Sequence, residues 1–181
     1  KCFLVFVPPK FFISKEEEVK RYLEHENNLD NQGYVKMFQK KINTIKNICP
    51  GTSTVLDYGC GYEPVLKLLL EREGYQVNAY DPIFFPHEDS KKEYNLIIST
   101  ETFEHFKKPR EELTRLIPKI SSSGHLAVMT RFYPEKKNAF CLESFSKWYY
   151  KRDPTHIAFY GQKTFFWMAR NFKMKICHNN K

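Results

Sequence analysis

The chain predicts an α/β domain in which a mostly parallel sheet carries helices on both faces. Short apolar runs alternate with segments of helical spacing, and the connections between them are short. The runs are also continuously apolar rather than alternating with polar residues. A strand covered on both faces has no solvent side to keep polar, so such runs mark the interior of a parallel sheet. The 181 residues suffice for a sizeable core. Organisation changes near residue 50, which separates an N-terminal strand and helical lid segment (1–50) from the sheet-forming part (51–181).

Each element has its own local reason. Phe3 to Val7 are β-branched and aromatic, and Pro8-Pro9 closes them into a short strand. Ser14 followed by Glu17 forms a capping box, with Glu16 and Glu18 in the same turn, so a helix is expected from there to about His25. Asn27 to Gly33 is rich in turn formers. From Tyr34 to Ile48 the apolar residues Val35, Phe38, Ile42, Ile45 and Ile48 keep helical spacing until Pro50-Gly51. Thr54 to Tyr58 reads as a strand, Pro64 to Arg72 as a helix stopped by Gly74, and Gln76 to Tyr80 as a second strand. Residues 82–93 hold two prolines and many charges, and read as irregular. Tyr94 to Ser99 is a third strand. Pro109 opens a helix, with Glu111 and Glu112 at its positive end, that runs to about Ile120. Ser121 to Gly124 reads as a loop and His125 to Thr130 as a fourth strand. Beyond it, Phe140 to Tyr150 and Thr164 to Asn171 read as helices, Thr155 to Tyr160 as extended and Met174 to Cys177 as a final strand.

Composition excludes several classes. No apolar run approaches the roughly 20 residues that span a bilayer, and Phe3–Val7 is too short for a secretory signal. A cytoplasmic protein with no membrane partner is therefore expected. The five cysteines are an odd number, scattered, and contain no Cys-x-x-Cys, which argues against a disulfide framework or a complete zinc knuckle within these residues. No metal ligand set is read. The net charge of +8 lies wholly in residues 131–181, since the rest is balanced. Such a basic third can draw nucleic acid, yet no RNA-binding signature accompanies it; a solvated basic face is the expectation.

The densest information lies in Val55-Leu56-Asp57-Tyr58-Gly59-Cys60-Gly61. A buried strand ends in Gly-x-Gly just before a helix. Glycine lets the backbone turn sharply and lets a ligand come close, and the helix start offers unpaired N–H groups beside it. Asp81 follows twenty residues after Gly61, at the end of the next strand, where an acid suits ribose hydroxyls. A dinucleotide reading fits poorly. Pro64 stands where its third glycine would be, and Asp57 would repel a pyrophosphate.

These residues resemble the successive motifs of class I S-adenosylmethionine-dependent methyltransferases: Asp57 to Gly61, Tyr80-Asp81, then Glu101-Thr102-Phe103-Glu104-His105-Phe106 before Pro109. The match is similar to the broad type 11 or 12 group. Arg21 to Asn27, Gly33-Tyr34 and the block Trp148 to Tyr160, with its Asp153-Pro154-Thr155-His156, resemble one bacterial subgroup. The resemblance implies a Rossmann-like fold and S-adenosylmethionine as cofactor, with S-adenosylhomocysteine as product, bound by residues 51–181. It implies that Asp57, Tyr58, Gly59, Cys60 and Gly61 line the methionine end, that Tyr80, Asp81 and Pro82 serve the ribose side, and that Glu101 and Thr102 face the cofactor. Such relatives often begin with a zinc ribbon in which Cys2 would stand as the last cysteine, but within these 181 residues it has no partner cysteines and reads as a free thiol. They also end in an antiparallel strand, to which Asn179-Asn180 would begin the hairpin; that strand is expected either to be missing or to lie beyond these residues.

Methyl transfer from a sulfonium asks mainly for alignment, and a base only where the nucleophile holds a proton firmly. The candidates for substrate chemistry are His156, whose pKa suits proton transfer near neutrality, with Arg152 and Asp153 beside it. His25 is a weaker candidate. The expected partner is a small-molecule acceptor; the alternatives are an RNA methyltransferase using the basic third, and a non-catalytic nucleotide-binding scaffold.

Overall fold

The computed structural model describes residues 1–24, 27–87, 92–137 and 139–179. Four parallel strands form the central sheet: β2 (Thr54–Tyr58), β3 (Gln76–Tyr80), β4 (Tyr94–Thr100) and β5 (Ile120–Met129), in the order β3-β2-β4-β5. The N-terminal part contributes β1 (Val5–Phe6), α1 (Lys15–Leu23) and α2 (Gln32–Ile48). Between and after the sheet strands lie α3 (Val65–Arg72), α4 (Pro109–Leu116), the small hairpin β6 (Glu135–Lys136) and β7 (Ala139–Phe140), α5 (Leu142–Lys147), β8 (Ala158–Phe159) and α6 (Gln162–Asn171).

Alternation along each strand builds two cores. Val55, Val77, Leu96 and Ile98 pack with Phe38, Ile42 and Ile45 of α2 and with Val65, Leu66, Leu69 and Leu70 of α3. Leu56, Tyr58, Tyr80 and Ile97 face the other way, onto Leu113 and Leu116 of α4 and Met168 of α6. Both faces are therefore covered, as the continuous apolar runs require. From β2 the chain moves to β3 on one side, then crosses to β4 on the other. That reversal opens a crevice at the strands' C-terminal ends, where such sheets bind ligands.

The capping box of α1 forms as expected: the Glu17 amide donates to Ser14 Oγ, and the Ser14 amide to Glu17 Oε2. His25 lies outside the described residues. Several expectations are corrected. Ser121 to Gly124 is not a separate loop: Tyr94 pairs with Ile120 and Leu96 with His125, so the extra residues bulge within β5. The helix after Pro109 ends at Leu116 and tightens into a 3-10 turn at Ile117–Lys119, because Pro118 has no N–H to continue it. The Phe140–Tyr150 helix is confined to Leu142–Lys147. Phe140 pairs in the hairpin, and Trp148 turns extended as its ring packs on Phe145, Tyr150 and Phe159. The extended stretch from Thr155 condenses to β8, which pairs antiparallel with β1 and so ties the N-terminus to the far end of the chain. Met174 to Cys177 forms no strand. The Met174 amide turns back to the Ala169 carbonyl, and among the described residues no strand follows α6.

Leu70 is fully buried while Leu68, on the same helix, is 37% exposed. Leu70→Ala should cost about 2–5 kcal/mol by transfer loss plus cavity. Leu68→Ala should stay below about 1 kcal/mol. Urea midpoints of the two variants would read this, and equal costs would contradict the assignment of α3's buried face.

Candidate active site

The crevice is shaped by the turn after β2. Gly59 and Gly61 adopt φ of +81° and +71°, the left-handed region that glycine enters without penalty. The Gly59 and Cys60 amides both donate to the Tyr80 carbonyl, at 2.8 and 3.1 Å, which pins the turn to the end of β3. Thr102 closes it from the β4 side: a Cβ on Gly59 would lie 2.2 Å from Thr102 Cγ2. The Thr102 hydroxyl lies 2.9 Å from the Thr100 carbonyl and 3.3 Å from that of Gly59. Its side chain thus braces the turn.

Two carboxylates flank this turn. Asp81 is held by backbone: its Oδ2 accepts from the Gly61 amide at 3.2 Å, and its Oδ1 from Ile83 and Phe84 at 2.9 and 3.1 Å. Its own amide and carbonyl both pair with Phe85, making the tight turn in which Pro82 sits exposed. A carboxylate offers about four acceptor positions, so room remains for a hydroxyl. Asp57 is 3% exposed, and its Oδ2 has no hydrogen-bond partner. Burial, reinforced by the charge of Asp81 and opposed by the Lys67 amide, pushes its pKa up to about 7.

The remaining candidates divide by face. The side chains of Tyr58 and Tyr80 point away from the crevice. They stack at 5.0 Å, Arg115 lies over both rings, and Tyr58 contacts Glu112 at 2.5 Å. They meet the turn through backbone alone, since strand alternation puts them opposite Asp57. Cys60 stays on the crevice side, where burial and the charges of Asp57 and Asp81 push its thiol up. Glu101 is exposed, with φ +48°, while its amide still bonds the Met129 carbonyl at 2.7 Å. Sequence reasoning missed Tyr34. Burial, and then the charges of Asp57, Glu101 and Cys60, suppress the ionisation of its phenol, and its half-buried ring packs on Phe38 of α2. The signal available was its position beside Gly33, ahead of the apolar stripe of α2.

A second group lies past Glu101. Glu104 is fully buried, with Oε1 bonded by the Tyr150 hydroxyl, which also sits 3.0 Å from Glu101 Oε2. His105 and His156 stack edge to face at 4.9 Å, and one ligating atom each of Glu104, His105 and His156 lies within 4.8 Å of the others. Nearby candidates act differently. Arg152 is exposed. Asp153 is a fastener: Arg21 Nε and Nη2 donate to its Oδ2 at 3.0 and 2.9 Å, while the Thr155 amide and hydroxyl donate to Oδ1 at 3.0 and 2.5 Å. Burial opposes its ionisation, but these bonds outweigh that and hold its pKa at about 2. It joins α1 to the segment carrying His156. The surface groove between α2 and α3, of ≈ 280 Å³ and lined by Gln39, Ile42 and Arg72, lies at the other end of α3 and shares none of these groups.

The fold and the crevice together define an α/β domain built to hold a ligand at the C-terminal edge of its sheet. Residues 22–178 match the family of methyltransferase domains, and the chain belongs to that family. A search of curated proteins gives no match. Solved structures share the fold. A Bacillus halodurans protein described as a methyltransferase is 16% identical, with a TM-score of 0.51 over 74% of this chain and 68% of its own. The plantazolicin methyltransferase BpumL, in complex with a pentazolic desmethyl analogue and S-adenosylhomocysteine, is 13% identical, with a TM-score of 0.52 over 84% of this chain and 70% of its own. The Haemonchus contortus phosphoethanolamine N-methyltransferase 2, in complex with S-adenosylmethionine, is 11% identical, with a TM-score of 0.52 over 91% of this chain and 45% of its own. No helix among the described residues is long and apolar enough to cross a membrane.

The raised pKa of Asp57 makes a stability prediction. A carboxyl that titrates near 7 when folded and near 4 when unfolded keeps its proton only in the folded state between those values. Its contribution therefore falls as pH rises from about 4 to 7 and is level above. Asp57→Asn lacks that titration, so its stability relative to the parent should rise across the same window. A difference that does not change with pH, in denaturant titrations of the ligand-free proteins, would contradict this.

Proposed function

We propose that the protein transfers a methyl group from S-adenosylmethionine to a small-molecule acceptor. The observation that carries this is Asp57: a buried carboxylate oxygen without a partner, facing a glycine-made bend with Asp81 on its other side. An isolated buried acid is costly, and a cationic ligand group relieves the cost. The residues present fit the donor. Asp57, Gly59 and Gly61 would hold its amino-acid end, with Tyr34 and Cys60 beside them, and Asp81 its ribose hydroxyls. Pro64 at the start of α3 suits a ligand that has no phosphate to seat there.

When bound, this cofactor supplies an electrophilic methyl group. The chain's own work is positional. Thr102 braces the bend against Gly59, and the Tyr80 carbonyl fixes its height above the sheet. Glu101, Tyr150 and His156 lie next along the cleft, where an acceptor would meet the donor, and Arg21–Asp153 fixes the loop that carries His156. A confined group of polar side chains of this kind suits a small acceptor better than a polymer track.

Thermal shift tests the donor site. S-adenosylhomocysteine should raise the melting temperature, because a ligand that binds only the folded state stabilises it. Asp81→Ala and Asp57→Asn should each reduce that shift strongly, and the shift for the parent should shrink below about pH 7 as Asp57 takes up its proton. Stabilisation by NAD with none by S-adenosylhomocysteine would overturn the assignment.

A further inference from the structure

We propose that Glu104, His105 and His156 form a binding site for a divalent first-row transition cation, with Glu101 beside it at the mouth of the cleft. The three ligands come from two distant segments. Glu104 and His105 sit in the 3-10 turn after β4, and His156 precedes β8. Backbone contacts hold the two segments together: the Ile157 amide donates to the Glu104 carbonyl at 2.8 Å, and His105 Nδ1 lies 3.0 Å from the Thr155 carbonyl.

Both rings are oriented as metal-binding imidazoles are. His105 Nδ1 bonds the Thr155 carbonyl and His156 Nδ1 the Tyr150 carbonyl, at 3.0 and 2.6 Å. A carbonyl oxygen only accepts, so each Nδ1 carries the proton and the neutral ring has its lone pair on Nε2. A backbone carbonyl on one nitrogen is the usual outer partner of a ligating histidine. One ring nitrogen of each histidine and one Glu104 oxygen lie within 4.8 Å of one another. Donors about 2.1 Å from a shared ion stand roughly 3–4 Å apart, so the group needs to draw in by only about 1 Å.

Charge supplies an independent argument. Glu104 is fully buried, and its Oε2 has no hydrogen-bond partner. Glu101 and Glu104 both lean on the Tyr150 hydroxyl, which owns one proton and can satisfy one of them. Among the described residues no lysine or arginine pairs with either acid. A bound cation would neutralise both acids and take up the unmatched oxygen. Two imidazoles with carboxylate favour Mn²⁺, Co²⁺ or Zn²⁺ over Mg²⁺, which prefers an all-oxygen shell.

The consequence for the substrate rests on the methyltransferase reading above. A hydroxyl bound to such an ion gives up its proton to water near neutral pH. The site therefore selects an acceptor that offers an ionisable oxygen to the metal, as an alcohol or phenol does. Glu101 links the two halves: it stands directly before Thr102, which braces the bend, and its Oε2 lies 3.0 Å from the Tyr150 hydroxyl that also bonds Glu104.

The test uses the whole chain stripped with chelator. Titration with Co²⁺ or Mn²⁺, followed by calorimetry and by the visible absorption of Co²⁺, should show one ion per chain. His105→Gln and His156→Gln should each weaken it at least tenfold, while keeping the melting-temperature rise with S-adenosylhomocysteine that proves them folded. His178→Ala, at an exposed histidine outside the group, should bind as the parent does. No uptake by the parent, or uptake that the two glutamine variants leave unchanged, would overturn the site. Normal metal uptake without any response to S-adenosylhomocysteine would leave the site standing and sink the donor reading alone.

Discussion

The molecule depends on one contact: the Tyr80 carbonyl receiving two consecutive amides from the bend after β2. It carries the pairing of β2 and β3, whose ladder runs to Tyr58 and Tyr80, on into the bend. Gly59 and Gly61 allow the bend, and Thr102 packs so close to Gly59 that no side chain fits there. Three strand ends are thereby locked at one height, and the side chains that leave them converge. Asp57 emerges from β2, Asp81 from β3, and Glu101 from β4, whose positive φ re-aims the chain at the moment it leaves the sheet. Without the bend, α3 would have no fixed start and the carboxylates no common crevice.

What the sequence made legible followed from local physics. The capping box at Ser14 and Glu17 is a contact between neighbours, so it can be read without knowing the fold. The four sheet strands are apolar because both faces are covered, so their composition alone announces them. The crevice carboxylates were readable for a related reason: Asp57 and Asp81 sit at strand ends, and strand ends of a parallel sheet share one edge. Where three-dimensional pairing overrides local preference, reading failed. Ser121 to Gly124 have loop composition, yet the ladder to β4 absorbs them as a bulge. Phe140 to Trp148 have helical spacing, but a hairpin takes one end and an aromatic cluster unwinds the other.

The second cluster was illegible for a different cause. Glu104 and His105 read as part of the motif before Pro109, and His156 as the first candidate for substrate chemistry, with nothing local to join them. Only tertiary contacts between residues some fifty positions apart bring them within reach. Asp153 shows the converse. Its place in an unusual polar block suggested chemistry, but the geometry gives both its oxygens to Arg21 and Thr155. Its depressed pKa is the mark of a well-made fastening, since a group that must exchange protons or ligands cannot spend every lone pair on structure. Tyr34 was missed because its only local mark, its place beside Gly33 ahead of the apolar stripe of α2, does not say which way the ring faces.

The distribution of charge ties these points together. The chain carries +8 overall, all of it in the C-terminal third, yet its crevice is lined by acids. Asp57 has a bare buried oxygen, Glu104 has another, and Glu101 shares a single phenol proton with its neighbour. Arginines and lysines are plentiful, but Arg21 goes to Asp153, and Arg115 to Glu112 and the stacked tyrosines on the far face of the sheet. Among the described residues no lysine or arginine pairs with Asp57 or Glu104, which fits the cationic ligands proposed above. The two bare oxygens differ in kind as well as place. Asp57 stands beside backbone groups that suit an organic cation, whereas Glu104 stands between two oriented imidazoles that suit an inorganic one. On the two proposals made above, one edge of the sheet would hold two different cations, with Glu101 between them.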